Sequence, residues 1–410
     1  MFLKELKNMN PKYKSLKEQY AINELAFKTQ NELISSQYIQ KINPPFASFV
    51  DKKNKNGIEQ YRKFCLLGNF ISNAKICLDA ALGIINKKEP EVILPENLRS
   101  IIDYATEEGT SLYVIQNLLI TSIFKYGFGL VKVEIPEGQS IVDSLPKLKV
   151  IEGKNVVDYG TYKDETGQQR FKFIVIDSTK DIFNPKTKYY FKTKLYTIYG
   201  LNAEGIYYEI EIPQQHYQEF DFDFPEKSKH VALSIYYPSW TKELNFIPVV
   251  AVNALDCTLK YNVSFIQDLI NLSLQNYRLT CNQGWLEQAC SASHLVIKGK
   301  NLDGIDDYPI GAGAIHVLND DTAEEYYVTP STQGISEIKE HIDQNNELIN
   351  EMQFSLLNSS ANSSGEALQF RIAVKCSDLI NLLKSVGNAI TLSLEYIDEI
   401  INERKKQRYD

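Results

Sequence analysis

Clusters of carboxylates are the first side chains in this sequence that could do chemistry, because grouped Asp and Glu oxygens bind hard metal ions such as Ca²⁺ and Mg²⁺. The sequence holds three such clusters: Asp221 with Asp223, Asp306 with Asp307, and Asp320 and Asp321 followed by Glu324 and Glu325. None of them has the residue spacing of a known metal-binding loop, and acidic runs are usually solvated surface. We therefore predict no metal site.

Signatures of the common enzyme classes are missing from the sequence. It has no Gly-x-x-x-x-Gly-Lys-Ser/Thr phosphate loop, no Gly-x-Ser-x-Gly nucleophile turn and no His-Glu-x-x-His zinc motif. The pairs in Gly127-Phe128-Gly129 and Gly311-Ala312-Gly313 lack the third glycine of a dinucleotide-binding fingerprint and precede predicted strands, so we interpret both as tight turns. We predict a protein that is not an enzyme, with no catalytic residue and no cofactor. The alternative is a nucleic-acid-acting enzyme of an unrecognised class.

The cysteines are scattered and form no Cys-x-x-Cys pair. This spacing predicts buried, reduced thiols rather than disulfides or a metal site. The six are Cys65, Cys77, Cys257, Cys281, Cys290 and Cys376.

Charge and hydropathy limit the partners. The chain has a net charge of −8 and a pI near 5.4, whereas proteins that hold DNA tightly by its phosphates usually carry a basic excess. Any nucleic-acid role must then be one that does not need tight holding. No apolar run reaches the roughly eighteen residues that a membrane helix needs, and the lysine-bearing start of the chain is not a secretory signal. We expect a protein that stays in a cytoplasm and away from membranes.

The first part of the chain is predicted to be helical. Residues 1–60 are polar and lysine-rich with three prolines, and we expect an arm with a few helical turns that is tied down only in part. Apolar residues then recur every three or four positions from Tyr61 to Ile85, which predicts a helix. Two further helices are predicted near Glu96–Glu108 and Ser111–Lys125.

Residues 127–248 have a different character. They are rich in β-branched and aromatic residues, with turn residues about every ten positions. This pattern predicts a mostly antiparallel sheet packed against the earlier helices, which is the α+β class. The predicted strands are Leu130–Ile135, Lys147–Ile151, Phe171–Asp177, Lys194–Tyr199, Gly205–Ile212 and Val231–Tyr237.

Long helices are predicted to dominate the last third of the chain. A helix over Thr258–Ala289 carries a coat of Asn, Ser, Gln and Thr, which is typical of a helix whose flanks meet other protein rather than solvent. Strands at His294–Lys298 and Ala314–Leu318 precede a second helix over Gly334–Phe354.

A small-polar segment, Ser355–Ser364, separates this second helix from the last one, whose start is marked by a capping box of Ser363 and Glu366. The last helix has a regular apolar seam with spacings of three and four. The seam consists of Ala373, Cys376, Ile380, Leu383, Gly387, Ile390, Leu394, Ile397 and Ile401.

The order of these elements resembles that of the portal proteins of tailed bacteriophages. Ile247-Pro248-Val249-Val250 leads into a long helix, a small β unit, a shorter helix, a small-polar loop and a long helix. That last helix opens with Ser364-Gly365-Glu366-Ala367-Leu368-Gln369-Phe370, and in portal proteins a Ser-Gly-x-Ala-Leu stretch opens the helix after the channel loop. Upstream, the Tyr61–Leu94 helix with its Lys-Glu-Pro exit and the passage of Leu118–Val133 into a strand are similar too. The resemblance covers roughly residues 60–400.

The resemblance implies a portal fold of the α+β class with a helix-rich wing and an antiparallel sheet. Only Lys405–Asp410 would remain for a crown, which is expected to be minimal or absent. The implied parts are an N-terminal arm (1–60), the wing (61–254), a first stem helix (255–290), a small α/β clip (291–333), a second stem helix (334–354), a tunnel loop (355–364) and a long C-terminal helix (365–410).

Two sets of site residues follow from the resemblance. The tunnel loop near the DNA would contain Asn358, Ser359, Ser360, Ala361, Asn362 and Ser363. The channel would be lined by Glu337, Glu340, Asp343, Glu347 and Glu351 of the second stem helix. Acidic walls suit such a channel, because a basic ring would grip the phosphates of passing DNA.

The implied function is a ring-forming DNA channel at one capsid vertex, used for genome packaging, head–tail joining and DNA ejection. The implied partners are further copies of this chain in a dodecameric ring, double-stranded DNA without sequence specificity, the terminase, a head–tail adaptor, and the major capsid or scaffold protein. The chain would lie in the virion at the portal vertex, and in the host cytoplasm during assembly. The alternative in the same class is another head–tail structural subunit, such as an adaptor.

Overall fold

The structure, a computed structural model, describes residues 9–39, 55–87, 91–134, 145–164, 167, 169–184, 189–228, 244–291, 294–298, 324–328, 332–357 and 365–409. The α-helices are α1 Pro11–Ala26, α2 Gln30–Ser35, α3 Lys55–Leu67, α4 Asn73–Ile85, α5 Ser100–Asp103, α6 Leu112–Tyr126, α7 Gln267–Ser291, α8 Gln333–Leu357 and α9 Gly365–Tyr409. The strands are β1 Phe128–Glu134, β2 Lys147–Glu152, β3 Val156–Lys163, β4 Gln169–Asp177, β5 Lys180–Asn184, β6 Tyr189–Thr193, β7 Leu195–Leu201, β8 Tyr207–Pro213, β9 Val249–Asn253, β10 His294–Lys298 and β11 Glu324–Val328.

The strands form four antiparallel sheets. Their orders are β2-β1-β9, β3-β4-β7-β8, β5-β6 and β10-β11. Helices and antiparallel sheets in one chain confirm the predicted α+β class. None of the helices in the described ranges is long and apolar enough to cross a membrane.

The chain divides into two compact units. Unit 1 comprises Met1–Phe27, Asn73–Ile270 and Met352–Asp410, and unit 2 comprises Lys28–Ser72 and Asn271–Glu351.

The core of unit 1 lies around β1, which is buried along nearly its whole length. It pairs with β2 on one side and β9 on the other, with Val131 opposite both Val150 and Val250. Helix α6 precedes β1 and ends at Gly127, whose φ is +80° and whose N–H donates to the Ile123 carbonyl at 2.8 Å. This left-handed position favours glycine and turns the chain from helix into strand.

Helix α9 packs against β9, β1 and α6 in unit 1. Its buried residues, among those whose side chains the structure describes, are Leu379, Leu382, Ser385, Val386, Ala389, Ile390, Ser393, Leu394, Ile397 and Ile400. In the first half of this set the predicted seam is one residue out of register, because Ile380 is 46% exposed and Gly387 is exposed as well. Neighbouring apolar pairs, such as Leu379 with Ile380 and Leu382 with Leu383, fit either register. The packing against the sheet selects between them.

Within the predicted arm, helix α1 is held firmly by the rest of unit 1. Helix α1 buries Tyr13 and Tyr20, whose hydroxyls donate to the Lys154 and Asn262 carbonyls, each at 2.9 Å. Asn23 is fully buried and donates to the Lys125 carbonyl at 2.9 Å. These bonds fix α1 to unit 1.

The continuous helix predicted from Tyr61 to Ile85 is wrong, because the chain breaks between α3 and α4. A Cβ at Gly68 would collide with Cys281, so the chain there lies directly against α7. The next backbone N–H groups leave the helical ladder: that of Asn69 donates to Thr280 Oγ1 at 3.2 Å and that of Phe70 to Gln30 Oε1 at 3.2 Å.

The predicted helix over Thr258–Ala289 begins only at Gln267. Side chains before it bind the backbone in a non-helical path and compete with helix formation. The N–H of Leu255 donates to Asn253 Oδ1 at 2.8 Å and that of Thr258 to Asp256 Oδ1 at 3.0 Å. Burial alone would raise the pKa of the Asp256 carboxyl, but hydrogen bonds, that of Thr258 foremost, lower it to about 2.

Some of the remaining predicted helices and strands agree with the structure and others do not. The predicted helix over Glu96–Glu108 is reduced to α5 and a 3₁₀ turn at Glu96–Leu98. Strands β3, β5, β6, β9 and β11 were not predicted, whereas β10 has the predicted bounds. The predicted strands Val231–Tyr237 and Ala314–Leu318 lie outside the described residues.

Candidate channel-lining face

The five acidic residues predicted to line a channel lie on one face of α8. They are Glu337, Glu340, Asp343, Glu347 and Glu351, with spacings of three, three, four and four, and all are exposed. We call this set the acidic face. From first to last it extends about 21 Å along the helix. Lys339 is the only Lys or Arg in α8, so the formal charge of the helix is 1 − 5 = −4.

The opposite side of α8 is fixed to α7 inside unit 2. Ile349 is 3% exposed and Asn345 is 9% exposed. Asn345 Nδ2 donates to Asn276 Oδ1 at 2.9 Å, and Asn276 Nδ2 donates to Asn346 Oδ1 at 2.8 Å. These paired amides set the rotation of α8, and this rotation directs the acidic face away from α7.

Helix α7 is in turn packed against α3 and the segment that follows it. The Tyr277 hydroxyl donates to the Cys65 carbonyl at 3.0 Å, and its ring meets Phe70 edge-on at 5.5 Å. A Cβ at Gly284 would lie 2.8 Å from the Leu67 carbonyl oxygen, so the two chains are in close contact there. Helix α7, which orients the acidic face, is therefore itself fixed by its packing against α3 and the residues that follow α3.

The uncharged polar coat predicted for α7 is partly used inside the subunit. Ser273 is buried, and Asn276 and Thr280 bond to Asn345 and Asn69, respectively. Asn271 and Gln275 are exposed. These two exposed positions are the part of the coat best placed to meet another protein molecule.

The acidic face carries no compensating cations within the part of the chain that the structure describes. No Lys or Arg there forms an ion pair with any of the five carboxylates. The neighbours that do contact them are neutral: Gln333 donates to Glu337 and Gln344 to Glu340, each at 3.3 Å. Among the described residues, the face is therefore a strip of five exposed carboxylates without a paired cation, and such a strip repels phosphates.

The predicted tunnel-loop residues Asn358–Ser363 lie outside the described residues, and Ser363 is also one of the two residues of the predicted capping box. Helix α8 runs through Leu357, so Ser355–Leu357, expected at the start of that loop, are helical. Helix α9 begins at Gly365, as predicted.

The acidic clusters considered as metal ligands have other roles where the structure describes them. Asp221 Oδ1 accepts the N–H of Asp223 at 3.0 Å, and Asp223 pairs with Lys172 at 2.6 Å. Glu324 lies 3.7 Å from Lys298 across the β10–β11 pair. Among the described residues, no group of three or more His, Cys, Asp and Glu is placed to hold a metal ion. Asp306, Asp307, Asp320 and Asp321 lie outside them.

None of the cysteines whose side chains the structure describes forms a disulfide bond, and Cys65, Cys77 and Cys281 are buried. Burial raises the pKa of Cys77 and of Cys281 to about 12. Such thiols remain protonated near neutral pH and are poor nucleophiles.

A buried ionic network in unit 1 was missed at the sequence level. Lys132 on β1 is 3% exposed, and its Nζ lies 2.8 Å from Glu209 Oε2, 3.1 Å from Glu134 Oε1 and 4.1 Å from the Tyr199 ring centre. The Tyr207 hydroxyl donates to Glu209 Oε1 at 2.7 Å. The network joins β1 to β7 and β8, which belong to the other large sheet. A lysine in the middle of an otherwise apolar strand is the sequence signal that could have revealed it.

The electrostatics of this network indicate a structural role. Burial lowers the pKa of Lys132, but Tyr199 and the two carboxylates outweigh burial and raise it overall. Burial likewise raises the pKa of Glu134, yet Lys132 and Lys149 hold it below its ordinary value. Both groups keep their charges near neutral pH, so neither is poised to transfer a proton.

No model of a protein family matches the sequence, and no curated protein matches it.

Proposed function

We propose that this chain is the subunit of a portal-type ring that forms a DNA channel at one vertex of a tailed-phage capsid. In this role it is not an enzyme. The ring admits the genome when a terminase docks on it, joins the head to a tail adaptor, and releases the DNA on ejection. The proposal extends to a portal fold, in which α7 and α8 are the stem helices and α9 is the long helix that follows the channel loop.

The observation that carries this proposal is the acidic face of α8. Five exposed carboxylates follow one side of the helix without a paired cation in the described residues. Duplex DNA carries one negative charge per about 1.7 Å of its axis, so a basic wall would hold it and a negative wall lets it slide. An overall charge of −8 agrees with a protein that passes DNA without gripping it.

The order and grouping of the elements support the same reading. Helices α7 and α8 flank the β10–β11 pair, and most of both helices lies in unit 2 together with this pair. The wing-like sheets and α9 share unit 1. The proposed stem and clip therefore fall mostly in one unit, together with α2 and α3, while the sheets of the proposed wing and the long helix fall in the other.

Assembly of the purified protein tests the proposal. We expect closed rings with a central hole in negative-stain images, and a mass of many subunits by sedimentation. Head-to-tail contacts between identical subunits give a closed ring when the rotation from one subunit to the next completes a full turn. Monomers only, over a wide range of protein and salt concentrations, would contradict it. A variant with Asn271→Lys and Gln275→Lys places charges on the exposed part of the α7 coat, and it should remain folded but fail to close rings.

A further inference from the structure

A groove along α9 in unit 1 has no part in the proposed channel. Its volume is about 960 Å³, and it lies between residues 91–116 on one side and Gly387–Asn402 of α9 on the other. All of its lining residues belong to unit 1.

The floor of this groove is apolar. It includes Leu98, Leu112, Ile390 and Leu394, which are 3%, 4%, 9% and 8% exposed. Ile93, also a lining residue, is 87% exposed. Covering a large exposed aliphatic side chain beside an apolar floor with another molecule is favourable, because it removes apolar surface from water.

The rim of the groove is acidic. Five carboxylates line it and, among its described lining residues, there is no Lys, Arg or His. The five are Glu91, Asp103, Glu395, Asp398 and Glu399. An apolar floor between carboxylates complements a ligand that is apolar on one side and positively charged along its flanks.

The dimensions of the groove match one helix. Gly387 to Asn402 extends about 22 Å along α9, which is the length of a helix of about fifteen residues. Gly387 lies within α9 and lines the groove, and a Cβ placed on it would have no neighbour within 4 Å. Glycine inside a helix costs roughly 0.5–1 kcal/mol relative to alanine, and nothing in the described fold requires it here. A glycine does allow another helix backbone to approach closely.

We propose that this groove binds a basic amphipathic helix of a partner protein, with apolar side chains on the floor and Lys or Arg beside the rim carboxylates. The inference does not rest on the proposed channel function. The proposed ligand is a helix of another protein. The experiment below distinguishes it from two alternative ligands, a second copy of this chain and a nonspecific cation.

The test uses the full chain and a fluorescent Leu/Lys peptide of about fifteen residues, with leucines at i, i+3, i+4 and i+7 to make an apolar helix face. The control peptide has the same composition in a scrambled order that forms no apolar face. Fluorescence anisotropy measures binding to the wild type, to Gly387→Leu, to Ile93→Asn, and to Glu395→Lys combined with Asp398→Lys. Glu18→Lys combined with Asp79→Lys is the matched control, because these exposed acids change the charge equally but lie outside the groove.

We expect saturable binding of the amphipathic peptide, weakened at least about tenfold by each groove variant and unchanged by the matched control pair, as for a pocket-filling contact with charge complementarity. Ile93→Asn changes an exposed residue, so it keeps the test decisive should another variant fold poorly. Absence of binding, equal binding of the scrambled peptide, or equal weakening by both charge-reversal pairs would overturn the proposal. Self-association that the peptide reverses and the groove variants abolish would assign the groove to a second copy, and would likewise overturn it.

Discussion

Replacing Lys132 with methionine removes the cation from the buried network of unit 1 while nearly keeping the size of the side chain. Glu134 and Glu209 would then face each other without the charge that lies 3.1 and 2.8 Å from their oxygens in the wild type. Their side chains are only 18% and 23% exposed, so water replaces the lysine poorly. The change therefore leaves two partly desolvated negative charges close together.

The magnitude follows from the degree of burial. Removing one partner of a buried ion pair costs about 3–5 kcal/mol of unfolding free energy. Glu134 keeps Lys149 at 3.3 Å and Glu209 keeps the Tyr207 hydroxyl at 2.7 Å. These remaining contacts place the expected loss at the lower end, about 3 kcal/mol.

Lys149→Met is the matched control. It removes a lysine that contacts the same Glu134 carboxylate but is 57% exposed, and loss of such a surface pair costs under about 1 kcal/mol. Urea denaturation followed by circular dichroism compares the two variants with the wild type at constant m-value. If Lys132→Met cost no more than Lys149→Met, the claim that burial makes this network strong would be refuted.

The effect of Lys132→Met also depends on pH. In the wild type, the pKa of Glu134 is held below its ordinary value, so the contribution of this carboxylate is present above the unfolded pKa of about 4.3 and is lost as pH falls through the folded pKa. In the variant, Glu134 has lost the buried cation beside it, so protonation of this carboxylate relieves the repulsion and stabilises the folded protein. The difference between the two proteins should narrow as pH falls below about 5.

Three further predictions concern the candidate site and the turn before α7. Glu340→Lys, Asp343→Lys and Glu347→Lys together should leave the thermal unfolding midpoint nearly unchanged because all three residues are exposed, but should slow or stall DNA packaging in vitro; normal packaging would exclude this face from the channel wall. Deleting Ser359–Asn362 should preserve rings in negative stain yet reduce the nuclease-protected DNA that particles retain, and full retention would refute the tunnel-loop assignment. Asp256→Asn should lower the urea midpoint at pH 7. Because the folded pKa of Asp256 is about 2, the stability that its charge gives the protein is lost between about pH 4 and pH 2, and the urea midpoints of variant and wild type should converge over that range. A constant difference down to pH 2 would show that the charge of Asp256 does not stabilise the turn.

Local sequence pattern was sufficient for elements whose shape depends on their own residues. Strand β10 has its predicted bounds, and α9 starts at Gly365, where the predicted capping box of Ser363 and Glu366 placed the first turn. The acidic and apolar sides of α8 also follow from a period of three to four residues, and the structure confirms that Glu340 is exposed and Ile349 buried. Its assignment as a channel wall remains a prediction.

Local sequence pattern gave wrong helix bounds where contacts with a distant part of the chain determine the structure. Gly68, just after α3, lies directly against Cys281 of α7, and the sequence near Gly68 gives no sign of this contact. Helix α7 starts at Gln267 rather than Thr258, and the residues before it are bonded to distant parts of unit 1: the Tyr261 hydroxyl donates to the Val156 carbonyl at 3.1 Å and the Phe265 N–H to the Ile123 carbonyl at 3.4 Å. Adjacent Leu379 and Ile380 offered two registers for α9, and only the sheet beneath selects one.

The most direct test of the proposed channel is a cryo-EM map of the assembled protein with the acidic face resolved. We predict a closed ring in which the acidic face of every subunit lines the central hole, that is Glu337, Glu340, Asp343, Glu347 and Glu351. A ring whose hole is lined by other residues, with the acidic face of α8 on the outer surface or covered by a neighbouring subunit, would contradict it.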